Sequence, residues 1–297
     1  MLNKILVPID FSACADNAVN FAVQSAKLLP VEIVLMHAMD IRGSVYNDYL
    51  GVNKEYNQEI LHDMKTKVAK LKRKIEENEG VLVSTHISTG RLKESVNSLV
   101  EDLHIDLVVM GTSGASGVIG KIWGSNTAAV IGNCKVPVLA IPQYYKWKKP
   151  QTILLSSNHF EKDHAVLDII FEMADLFMAS VKVAVFTDIE AEKVGGLLDH
   201  TRQIPQYEKF LKESYHENTL TAYSLSGLHF EESLQEFIDW NEVDMMVMVT
   251  YKRNLLDKIL KPSMTKKMSY QTEVPLLAIP AQTEVQAEPK KKTMVNH

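Results

Sequence analysis

Apolar positions along this chain alternate between two rhythms. Residues 5–9 form a short, branched, almost wholly apolar run, the pattern of a central strand buried on both faces. Residues 10–12 break it, Ser12 is suited to cap a helix, and Ala15, Ala18, Val19, Ala22 and Ala26 then fall at helical spacing until Pro30. A second apolar run covers residues 33–36, a polar stretch begins at about Asp40, and a long charged helix is predicted over roughly 54–79, closed by Gly80. The alternation continues with strands at 81–87, 107–110 and 136–141 and helices at 92–103 and 125–131. Strands alternating with helices call for right-handed crossovers and a parallel sheet covered on both faces.

The pattern then repeats. Ile-Asp-Leu-Val-Val-Met at residues 105–110 returns 138 positions later as Val-Asp-Met-Met-Val-Met, and Val-Pro-Val-Leu-Ala-Ile-Pro at 136–142 returns at the same offset as Val-Pro-Leu-Leu-Ala-Ile-Pro. Lys4 to Val7 likewise resembles Thr152 to Leu155, after a linker over residues 143–149. A period of that size suits a whole domain rather than a solenoid unit. The expected class is α/β, with two tandem doubly wound domains, each a five-stranded parallel sheet flanked by helices, over residues 1–143 and 150–281. Residues 282–297, with Pro289 and Lys290 to Lys292, lack apolar periodicity and are predicted to be a disordered tail.

Composition narrows the function. With 297 residues, 46% hydrophobic and 23% charged, the chain can bury two cores. A net charge of −5 offers no broad positive field, which argues against DNA or RNA as partners. Two cysteines, Cys14 and Cys134, fit a reducing compartment, and the absence of a signal-like start or a long uncharged apolar run predicts a cytoplasmic protein with no membrane span. None of the ten histidines, His159, His164, His200 and His216 included, has zinc-ligand spacing beside cysteines, and no Gly-x-Ser-x-Gly elbow marks a nucleophile. The methionines of 245–248 and the two thiols read as core packing.

One segment stands out chemically. Gly111, Gly114, Gly117, Gly120 and Gly124 place five of the chain's thirteen glycines between the strand ending at Met110 and the helix opening at Ser125. Bare backbone lets amide N–H groups approach a bulky anion, and a helix start favours negative charge. The segment is neither a Walker A loop nor a dinucleotide Gly-x-Gly-x-x-Gly.

The spacing Gly111, Gly114, Gly124, Ser125 resembles the nucleotide-binding pattern of ATP-binding universal stress proteins. The resemblance extends to Lys-Ile-Leu-Val-Pro-Ile-Asp-Phe-Ser at residues 4–12, the strand end from Met36 to Asp40, and Asp106 to Met110. It implies an adenine nucleotide alpha hydrolase-like fold and an adenine nucleotide (ATP, ADP or AMP) as ligand. It also implies roles by position. Pro8 and Ala38 would border the adenine, Asp10 would face ribose or phosphates, Met110 and Gly111 would lie beside them, Gly114 and Gly124 would admit the phosphates, and Ser125 with Asn126 would donate to them. Asp10 also suits a magnesium ion beside phosphates, or simply a turn or helix cap. Lys121 reads as a solvated loop lysine.

The second half departs from this pattern: Val249, Lys252 and Pro262 stand where Gly111, Gly114 and Gly124 do, with Ser263 retained, and Ser156 and Asn158 replace Pro8 and Asp10. No ATP site is expected there, although Lys252, Arg253 and Lys261 could attract another anion. The family's habit of pairing last strands implies an intramolecular pseudo-dimer between residues 136–142 and 274–280, with a further homodimer as an open expectation. The leading function is a stress-response module that binds ATP in its first domain. Slow ATP hydrolysis and a nucleotide-free interaction scaffold are the alternatives.

Overall fold

The computed structural model describes residues 2–39, 52–112, 124–189, 194–215, 219–250 and 273–281. The first half runs β1 (Lys4–Pro8), α1 (Ala13–Ala26), β2 (Glu32–Met39), α2 (Val52–Glu79), β3 (Val83–Thr89), α3 (Leu92–Asp102), β4 (Leu107–Gly111), α4 (Ser125–Ile131) and β5 (Val138–Ile141). The second half repeats the order through its fourth strand, with β6 (Thr152–Ser157), α5 (His164–Phe177), β7 (Ser180–Asp188), α6 (Val194–Tyr215), β8 (Thr221–Gly227), α7 (Phe230–Trp240) and β9 (Met245–Thr250), and its fifth strand is β10 (Leu276–Pro280).

All ten strands join one sheet in the order β3-β2-β1-β4-β5-β10-β9-β6-β7-β8. Each half contributes five parallel strands, and the seam is the antiparallel pair β5 and β10, in which Leu139 faces Leu277. The expected pairing of the two Leu-Ala-Ile-Pro segments is therefore present inside one chain. Successive residues of each strand feed opposite faces. Ile5 and Val7 join a core with α1 and α5, whereas Leu6 joins one with α3, α4 and α7.

The duplication reaches individual hydrogen bonds. Asp106 Oδ2 accepts from the amides of Asn3 and Lys4 at 2.8 and 3.0 Å, and Asp244 Oδ2 accepts from those of Gln151 and Thr152 at 2.8 and 3.1 Å. Each aspartate thus ties the start of a half's first strand to the start of its fourth. The turns before them match as well: His104 and Glu242 adopt left-handed φ of 53° and 49°.

The intervening segment is packed rather than loose. Trp147 sits edge-on to Phe21 of α1 at 4.8 Å between ring centroids and 6.4 Å from Phe177 of α5, so it lies between the first helices of the two halves. Lys148 Nζ, 2.5 Å from Asp244 Oδ1, adds a tie to the second half.

Several boundaries differ from the sequence pattern. β2 continues three residues past the apolar run, through His37, because the polar ring is satisfied: Nδ1 lies 2.7 Å from the Ile9 carbonyl oxygen, to which it can only donate. β3 lies two residues later than expected: only its first position, Val83, is fully buried, and the strand is an edge paired on one side only. The predicted tail at 282–297 lies outside the described residues.

Candidate functional site

The carboxyl ends of β1, β2 and β4 open on a cavity of about 510 Å³ together with the starts of α3 and α4. Strand ends at such an edge place ligands naturally, because helix starts and turns converge there with free amides. Pro8 and Asp10 arrive from β1, Ala38 from β2, Met110 and Gly111 from β4, and Gly124, Ser125 and Asn126 from the start of α4. The structure thus brings together every predicted site residue except Gly114, which lies outside the described residues, as does Lys121.

Each side chain has a local cause for its position. Asp10 accepts from both the amide (3.0 Å) and the hydroxyl (2.5 Å) of Ser12, and Ser12 in turn accepts from the Ala15 amide to cap α1. The turn between them holds Phe11 at a left-handed φ of 60°. Asp10 is accordingly both a turn-former and an exposed carboxylate on the cavity wall. The turn role and a place on the cavity wall occur together.

Across the cavity, the Thr112 amide donates to the Ile141 carbonyl at 2.9 Å and the Gly124 amide donates to the Thr112 carbonyl. Thr127, buried in the first turn of α4, donates its hydroxyl to the Gly111 carbonyl at 2.8 Å. These bonds fix the helix start against the end of β4. Gly124 occupies the N-cap with an extended backbone and no side-chain cap, so the first amides of α4 face the cavity without a competing protein acceptor from that position.

Gly111 needs its bare Cα for a packing reason that the spacing does not record. It lines the cavity, but the direction a Cβ would take is filled by Cys14 in the first turn of α1. The Cys14 thiol packs at 3.6 Å from the Ile141 carbonyl oxygen, and the Cys134 thiol is pushed up in pKa chiefly by burial. Both thiols are buried packing groups, as their sequence context suggested.

The sequence pattern missed one wall. Gly90, Arg91, Leu92, Lys93 and Glu94, at the junction of β3 and α3, also line the cavity. A signal for them existed, because Gly90 follows a strand and precedes a helix just as Gly124 precedes Ser125.

At the corresponding edge of the second half, polar side chains bond to one another. Ser157 Oγ lies 3.1 Å from His159 Nδ1, and His159 Nε2 lies 3.3 Å from Oε2 of the buried Glu161. Tyr207 donates its hydroxyl to the Glu161 carbonyl at 2.7 Å. Among the described residues no group of three or more histidine, cysteine and acidic side chains could hold a metal, and no helix is long and apolar enough to cross a membrane. Residues 251–272, with Lys252, Pro262 and Ser263, lie outside the described residues.

Residues 1–142 match the model of the Universal stress protein family. Universal stress protein MJ0577 of Methanocaldococcus jannaschii is 28% identical over 155 residues, which cover 48% of this chain and 95% of that protein. Universal stress protein YxiE of Bacillus subtilis is 26% identical over 152 residues, covering 48% of this chain and 99% of its own. Among solved structures, a universal stress protein from Archaeoglobus fulgidus superposes over 94% of this chain and 98% of its own with a TM-score of 0.65 at 16% identity. That likeness establishes the fold across both halves.

Proposed function

The chain belongs to the universal stress protein family, and from that premise we propose that its first half binds an adenine nucleotide, ATP or its di- or monophosphate, in the cavity at the carboxyl edge of β1, β2 and β4. The observation that carries this reading is convergence. Residues separated by more than a hundred positions, from Pro8 to Asn126, line one cavity whose volume lies in the range of small-molecule sites, roughly 300–1,000 Å³.

The chemistry of the wall suits such a ligand. Pro8 and Ala38 are short and apolar and would border the base. The uncapped start of α4 offers amide donors and the positive end of a helix dipole to phosphates, with Ser125 and Asn126 exposed beside it. Asp10 is the β1 carboxylate on this wall, and a magnesium ion, which usually keeps one or two carboxylates plus phosphate oxygens, would be held there by Asp10 together with the nucleotide. In the second half, residues 150–281, Ser156 and Asn158 replace Pro8 and Asp10, and the hydrogen-bonded set of Ser157, His159 and Glu161 follows the strand. We assign that half a structural or partner-binding role rather than a second ATP site.

The test is direct. Denaturing freshly purified protein should release an adenine nucleotide identifiable by mass spectrometry, and calorimetry with ATP should give saturable binding to one site per chain. Gly124→Val should weaken ATP binding at least about tenfold, since its branched side chain crowds the helix start where bare backbone meets phosphate. A released ligand without adenine, or no ATP binding by the nucleotide-free wild type, would overturn the assignment.

A further inference from the structure

We propose that Arg91 is a specificity-determining residue of this cavity, which reads the phosphate of the bound nucleotide and so separates nucleotides from nucleosides. The inference rests on the nucleotide reading above and deepens it.

Arg91 stands at the N-cap of α3, on the cavity wall, with an extended backbone and no side-chain cap bond. Gly90 before it adopts φ of +129°, a conformation that side-chain-bearing residues rarely take, and its amide donates to the Met39 carbonyl at 2.8 Å. That bond anchors the turn to the end of β2 and sets Arg91 at the rim. Its guanidinium is exposed and makes no hydrogen bond or ion pair among the described residues. The other charges on the wall are already engaged. Lys93 Nζ lies 3.6 Å from Glu94 Oε1, and Asp10 bonds to Ser12. Among the described residues of this wall, Arg91 is thus the cation that remains available to a ligand.

Two considerations say which part of a nucleotide it meets. The amides of Leu92, Lys93 and Glu94 occupy the first turn of an eleven-residue helix and have no intrahelical acceptor, so the dipole of α3 favours an anion where Arg91 reaches. Moreover, α3 packs beside α4, and Arg91 to Glu94 and Gly124 to Asn126 line the same cavity, so the two starts open on one space. A planar guanidinium fork can grip phosphate oxygens in a bidentate manner, which a point charge or an amide side chain cannot reproduce.

Calorimetry with ATP, AMP and adenosine on wild type, Arg91→Gln and Arg91→Lys tests this. Arg91→Gln should weaken ATP about tenfold or more and leave adenosine unchanged, with Arg91→Lys between them because it keeps the charge without the fork. Unchanged thermal unfolding of both variants would show that the fold is intact, as an exposed and unbonded side chain implies. Equal losses for ATP and adenosine would overturn the proposal in favour of contact with the base, and unchanged ATP binding would overturn it in favour of a solvated arginine. Failure of wild type to bind any of the three would instead sink the nucleotide reading, and is visible before the variants are compared.

Discussion

A Cβ built on Gly111 would come within 2.6 Å of the Cys14 thiol, 2.8 Å of its carbonyl oxygen and 2.9 Å of its carbonyl carbon. Two of these atoms are backbone in the first turn of α1, so rotating the cysteine side chain relieves only part of the clash. Gly111→Ala should therefore destabilise the protein by about 1–3 kcal/mol, the usual cost of overpacking a closed site. A lowered urea midpoint at unchanged slope would show it. Adding Cys14→Ala should recover a minority of the loss, and full recovery would mean that the thiol alone sets the constraint. The glycine pattern singled out this position for a ligand and was silent on its packing against Cys14, because spacing in sequence records that a side chain is excluded but not what excludes it. Pro8, Asp10, Ala38, Gly124, Ser125 and Asn126 could be placed in advance from a motif and the geometry of strand ends. Arg91 could not, since no local pattern says that an arginine at a helix start will lack a partner, and that depends on which carboxylates the fold brings near it.

Among elements, the strand starts show how little sequence a recurring tie requires. Asp244 is 7% exposed and gathers two amides and Lys148, whereas Asp106 is half-buried and gathers two amides. Asp244→Ala should cost about 2–3 kcal/mol, as expected when the charge-assisted hydrogen bonds of a buried carboxylate are lost, and Asp106→Ala should cost less. Chemical denaturation of the two variants side by side checks the order. A second element contact has a pH signature. Glu208 on α6 accepts from the Ala222 amide of β8 at 2.8 Å and from Lys212 Nζ at 2.6 Å, and the amide foremost, then the lysine, hold its carboxyl below the usual glutamate range. A depressed carboxylate pKa stabilises the fold above the unfolded value and loses that contribution as pH falls through the folded one. Glu208→Gln should therefore lower stability at neutral pH and flatten its decline on the acid side, as followed by thermal unfolding from pH 7 to pH 3. Elements themselves were largely legible from periodicity: residues 125–131 were expected as a helix and form α4 over the same span. Periodicity failed where a polar residue sits inside a strand, as His37 does, because the carbonyl that satisfies it belongs to Ile9, just past β1 and far away in sequence.

At the scale of the whole molecule, the seam between β5 and β10 decides how the halves depend on each other. Every residue of β5 is buried, and its outer edge is closed by β10, with Leu139 against Leu277 and Val138 against Ala278. A chain ending at residue 149 would keep the first five strands but expose that apolar edge, and an unpaired edge of this kind is a template for another strand. The antiparallel register of β5 with β10 shows that the edge accepts a strand of nearly its own sequence, since both are copies of one Leu-Ala-Ile segment. Two such fragments can therefore pair through β5 about a twofold axis and restore a ten-stranded sheet. Fragment 1–149 is expected to sediment as a dimer. A folded fragment that stays monomeric would show instead that the seam depends on Trp147 lodged between Phe21 and Phe177, an aromatic contact the fragment lacks on its far side. In the full chain this edge is already occupied, so a homodimer of the intact protein would have to form through another surface.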